Sequence, residues 1–162
     1  MIKIQKDEYI FEVDLEKTAE YYRAHPLCVC DYCQNFYAQA GGMFPKLESF
    51  LSDFGVDISK PDEMMGFELG NTIQYISVDY TVCGKVIHMG QHEIDIPDNQ
   101  FFSLVITDGF CSPNSQTEEY FTISVKNISE LPWVLDKPFP KPANLKKTSK
   151  VREFFRKVFR PT

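Results

Sequence analysis

A chain of 162 residues with 43% apolar and 14% aromatic side chains is long enough and apolar enough to bury a core, which excludes a disordered protein. Its net charge of −6 is unevenly spread. From Lys141 on, eight Lys/Arg accompany one acid, Glu153, and nine basic against twenty-two acidic residues precede them, so a body near −13 carries a tail near +7 and the acidic body disfavours nucleic-acid binding.

The opening residues MIKIQKDEYIF hold no apolar stretch of secretory type, and no apolar run approaches the roughly 20 residues that span a bilayer. The expected location is therefore the cytoplasm, where the five cysteines stay reduced and do not form a disulfide framework. Glu8 to Asp14 alternates as a strand. Asp14 is placed to cap a helix that Pro26 ends, with His25 held extended before the proline. Asp31 is placed to cap a second helix that Gly41-Gly42 terminates. A third starts at Pro45, and Phe44, Leu47, Phe50, Leu51 and Phe54 form its apolar stripe before Gly55.

After Met65 the pattern turns to strands. Turns are expected at Gly70-Asn71 and Cys83-Gly84, and Ile76, Val78, Tyr80 and Val82 keep a period of two that faces a core. Ile94 and Ile96 alternate before Pro97. Phe102, Leu104 and Ile106 form another inward face, and Phe121, Ile123 and Val125 a further one. Helices first and strands after indicate an α+β fold, in which N-terminal helices pack on a predominantly antiparallel sheet or sandwich. Residues 1–140 make one domain. Residues 141–162 make a proline-containing linker and a tail whose Val151, Phe154, Phe155, Val158 and Phe159 fall on one face of a basic amphipathic helix. That helix is expected to fold back on the acidic body; the alternatives are a protein partner's groove or a peripheral membrane contact through 146–160.

The chemistry concentrates in HPLCVCDYC, His25 to Cys33. Cys30 and Cys33 have the Cys-x-x-Cys spacing of a zinc half-site, and Cys28 adds a third sulfur, so Cys28, Cys30 and Cys33 are the candidate metal ligands and zinc the candidate cofactor. A fourth ligand would come from His25, Cys83, Cys111, His88 or His92. Two other readings stand beside this one. In the first, Cys33 sits in the first turn of a helix, where the dipole stabilises a thiolate for redox or nucleophilic work. In the second, the cysteines are small apolar side chains packed under the helices. Glu93, Asp95 and Asp98 offer too few oxygens for calcium. No phosphate loop, nucleophile elbow or zinc-protease helix is present, and no catalytic residue is assigned.

The segments CDYCQNF, FGVDISKPDE, YTVCGKV and LPWVLDKPF resemble a family of uncharacterised bacterial proteins, found in Firmicutes and gut bacteria and marked by a CxCxxCxNF motif. The resemblance spans residues 8 to about 140 and implies an intracellular domain of unknown function. The functional expectation is a non-enzymatic binding or interaction module holding a structural zinc; the alternative is a small cysteine-dependent enzyme or redox protein.

Overall fold

A computed structural model describes residues 1–109 and 119–140. Two short strands open the chain, β1 (Ile2–Lys6) and β2 (Tyr9–Val13), joined by a tight turn in which Asp7 takes a positive φ of 49°. Three helices follow, α1 (Leu15–Ala24), α2 (Asp31–Ala40) and α3 (Pro45–Ser52), and then β3 (Glu63–Leu69), β4 (Thr72–His88), β5 (Ile94–Pro97), β6 (Phe101–Asp108) and β7 (Tyr120–Pro132). The strands form one seven-stranded sheet in the order β1-β2-β4-β7-β6-β5, with β3 also on β4, and every pairing among the described residues is antiparallel. The described residues therefore form an α+β fold with a single sheet. The expected tail helix at 146–160 lies outside the described residues.

β4 is the spine. One of its edges pairs with β7 and the other with β3 and then β2, so most of its backbone groups have protein partners. Gly84 does not make the turn expected at Cys83-Gly84; β4 runs through it. Glycine is needed because φ there is +145° and an added Cβ would stand 2.2 Å from the carbonyl oxygen of Glu12 on β2. The turn at Gly70-Asn71 is present, with Gly70 at φ +63°.

The core lies between one sheet face and the helices. Phe36 of α2 packs edge-on to Tyr75, Phe44 packs on Phe102, and Phe54 meets Phe11 of β2 and Phe121 of β7 at ring centroids of 5.2 and 6.2 Å. Val78, Tyr80, Val82, Leu104, Ile106, Phe121, Ile123 and Val125 are buried as their period predicts. Ile76 is not: it is 41% exposed. Met65 opposes Ser77 and Gly66 opposes Tyr75, so Ile76 is the extra residue of a bulge, and the inward face switches from Ile73 and Tyr75 to Val78, Tyr80 and Val82. Phe50 also leaves the expected core stripe. It is half-buried at the rim, with the Lys6 ammonium 5.2 Å from its ring.

Caps divide between local and distant groups. Asp14 accepts from the Lys17 N–H and caps α1 as expected. At α2 the cap residue is Cys30, and Asp31 is the first helical residue, taking an ion pair from Lys137 at 2.6 Å. Phe44 precedes α3 and cannot cap it. Instead Asp98, in the turn between β5 and β6, accepts from the N–H groups of Lys46 and Leu47 at 2.7 and 3.0 Å. Burial works against the Asp98 charge, but backbone donors from Leu47, Asn99 and Lys46 outweigh it and hold the carboxyl below its ordinary value. Glu93 accepts from the Ser103 hydroxyl and Asp98 accepts from the start of α3, so these two carboxylates are turned to different partners.

Two measurements test this packing. Phe54→Ala should cost about 3–5 kcal/mol in urea unfolding and Phe50→Ala clearly less, because only the first leaves a sealed cavity; equal losses would contradict the rim placement of Phe50. Asp98→Ala should cost about 1 kcal/mol near pH 7. A lowered carboxyl contributes stability that is full above its unfolded value, about 3.9, and lost as pH falls through the folded one, so the gap between wild type and variant should close in acid.

Candidate metal centre

The site sits where an irregular segment enters α2, and its position depends on how α2 is held. Asn35, fully buried, donates from Nδ2 to the Pro132 carbonyl at 3.2 Å and accepts at Oδ1 from the Val134 N–H at 2.9 Å. The Tyr75 hydroxyl, from β4, donates to the Tyr32 carbonyl at 2.8 Å, and the Tyr32 hydroxyl donates to the Glu68 carboxylate of β3. Phe36 fills the core beneath. These ties fix α2 to β3, β4 and the end of β7, and with it Cys33.

The preceding turn is held by α2 itself. The Gln34 N–H donates to the Cys30 carbonyl at 3.0 Å, and Gln34 Nε2 donates to the Val29 carbonyl at 3.0 Å. The Cys30 N–H points at the Cys28 sulfur at 3.5 Å. The result brings Cys28, Cys30 and Cys33 together, with their three sulfurs all within 4.8 Å of one another. A tetrahedral zinc with Zn–S near 2.3 Å needs sulfurs ~3.8 Å apart, so the triad has only to close by about an ångström. Cys28 and Cys30 are exposed and Cys33 is half-buried, so that closure moves surface sulfurs and leaves the core alone. Their exposure also corrects the reading of the cluster as apolar packing. Cys83, buried in β4, is the one of the four described cysteines that does pack inside.

The other described candidate ligands do not join the triad. His25 Nδ1, buried and without a hydrogen-bond partner, lies 3.6 Å from Asp62, whose carboxylate accepts from the Thr81 N–H at 2.8 Å and from the Tyr21 hydroxyl. His92 lies beside Glu8 at 3.3 Å, and the Cys83 N–H bonds Thr18 Oγ1 at 3.1 Å. His88 pairs with Ile10 across β4 and β2. Cys111 lies outside the described residues. Among the described residues the triad gathers no fourth His, Cys, Asp or Glu.

The three thiols differ in acidity. The Cys30 N–H, followed by the neighbouring thiols, lowers Cys28, against smaller opposing effects of burial and then of the Glu63 carboxylate. Burial pushes Cys33 well above the ordinary thiol range, and the hydrogen bonds it makes with Cys30 and Cys28 add to the rise. Cys33 does stand in the first turn of α2, yet desolvation overrides the helix dipole there, against the expectation that the helix end would make it the thiolate. Burial raises Tyr37, and Cys33 beside it raises it further.

Compared with known proteins, the chain matches no family model, no curated protein and no solved structure. No helix among the described residues is long and apolar enough to cross a membrane.

Thiol mapping with an alkylating reagent near pH 7 should label Cys28 first and Cys33 and Cys83 slowest, because a lowered, exposed thiol carries more thiolate. Cys28 labelling should therefore reach its plateau rate at lower pH than Cys33 labelling. The reverse order would show that the Cys30 N–H does not stabilise the Cys28 thiolate.

Proposed function

We propose that this protein is a non-enzymatic binding module of a reducing cytoplasm, and that its recognition element is a thiophilic metal site made by Cys28, Cys30 and Cys33. The observation that carries the reading is the convergence of three sulfurs from two different backbone conformations, an extended segment and a helix, at a surface supported by buried hydrogen bonds. Zinc is the plainest occupant: the triad supplies three of its four ligands, and water or an incoming molecule supplies the fourth. Such an ion is bound to the fold and does not hold it together. The core rings Phe11, Phe36, Phe54 and Phe121 are fully packed without any contribution from Cys28 or Cys30. The resemblance to bacterial proteins with the CxCxxCxNF motif agrees with a site built on these residues.

Protein purified under reducing conditions should bind one zinc or cobalt(II) ion per chain, read by elemental analysis and by the sulfur-to-cobalt absorption band. Cys30→Ser should abolish binding. Chelation should lower the melting temperature only slightly, by the linkage due to lost ligand, in contrast to the unfolding of a zinc finger. A protein that binds neither ion, or that unfolds on chelation, would refute this reading.

A further inference from the structure

A site that gathers three thiols and, among the described residues, no fourth ligand suits some ions better than others. We infer that the Cys28-Cys30-Cys33 triad takes a trivalent thiophilic element of group 15, presented as its neutral hydroxide, arsenous acid being the representative ligand. The inference rests on the reading of the triad as a metal site and names the class of ligand it takes.

The first argument is coordination number. Zinc here would have to complete its shell with water or an incoming molecule, since among the described residues the triad gathers no fourth protein donor. A trivalent group-15 atom forms three bonds in a pyramid and keeps a lone pair in the fourth direction, so three sulfurs are a full set. Two of the three sulfurs are exposed, which leaves the apex and its lone pair free to face water.

The second argument is charge. Three thiolates brought together at one ion carry three negative charges. A divalent ion leaves one of them uncompensated. A trivalent one leaves none.

The third argument is the proton. A divalent cation must expel the thiol protons to solvent. Arsenous acid brings its own acceptors. Three As–O bonds break, three As–S bonds form, each hydroxide leaves with one thiol proton as water, and arsenic stays trivalent throughout. No external base, oxidant or reductant is needed, and protonated thiols are the reactive partners that the balance requires.

The test uses the full-length reduced protein with arsenous acid alone, and in parallel with zinc or cobalt(II) alone. Native mass spectrometry should show one adduct per chain, heavier by one arsenic less three hydrogens, with loss of three reactive thiols. Cys28→Ser, Cys30→Ser and Cys33→Ser should each weaken the adduct by about 100-fold or more, while Cys83→Ser and Cys111→Ser should leave it unchanged. Cys28 and Cys30 are exposed, so their variants should melt as wild type does and report on binding alone. Cobalt bound at the triad with no arsenic adduct, or an adduct that survives any one of the three triad substitutions, would overturn the inference and leave the metal-site reading intact. Binding of neither would bring down both.

Discussion

The structure depends on β4 being paired along both edges. A strand of seventeen residues holding β7 on one side and β3 and β2 on the other commits most of its backbone groups to protein partners, and it then serves as the base on which the helices are placed. Its two large tyrosines do this through their hydroxyls. Tyr75 donates to the Tyr32 carbonyl at the start of α2, and Tyr80 donates to the Ile58 carbonyl beyond α3, each at 2.8 Å. Both rings are buried, so each hydroxyl must find an acceptor, and that requirement fixes the helical layer relative to the sheet. The bulge at Ile76 lets Tyr75 and Val78 both face inward, and without that switch of parity Tyr75 would point away from α2.

Support and chemistry are separated at the cysteine triad. The supporting groups, Asn35, Phe36 and Tyr75, are buried and pair with residues distant in sequence. The reacting groups lie on the outer side of the same helix start, where Val29 between them is 82% exposed. A buried trio of thiols would resist losing its protons, and a trio on a free loop would pay the entropy of gathering. Placing one sulfur half-buried on a fixed helix and two on the turn before it reduces both costs. The same separation explains why Cys28 and Cys33, five residues apart, are shifted in opposite directions.

A residue that looks like a ligand in the sequence need not join the site. His25 belongs by sequence to the cysteine run, but its Nδ1 is buried beside Asp62, 3.6 Å from the carboxylate and without a hydrogen bond to it. That carboxylate receives the Thr81 amide from β4 and the Tyr21 hydroxyl from α1, and a buried charge needs several donors. On the sheet face away from Phe36 and Phe54, Asp79 accepts from Ser77, which in turn accepts from Lys126, and Thr81 pairs across from Thr122. An acidic residue in an alternating strand reads as solvated until the partners that bury it are known.

Local features were legible in the sequence because they act over a few residues. The Asp14 cap, the stop at Pro26, the helices at 31–40 and 45–52, the turn at Gly70-Asn71 and the inward faces of β6 and β7 all follow from capping groups, proline geometry and side-chain period. The spacing Cys-x-Cys-x-x-Cys likewise marks three sulfurs as a candidate set. Tertiary structure decided what depends on a partner far along the chain. The strand β1 has a weak pattern of its own and exists by pairing with β2; Gly84 looks like a turn until β2 presses on it; Asp98 caps a helix 52 residues earlier in the chain; and the exposure of Cys28 and Cys30 follows from where α2 is bolted to β4 and β7. Each of these is set by a contact whose loop-closure cost is met only by the whole fold, so no window of sequence contains the information that determines it.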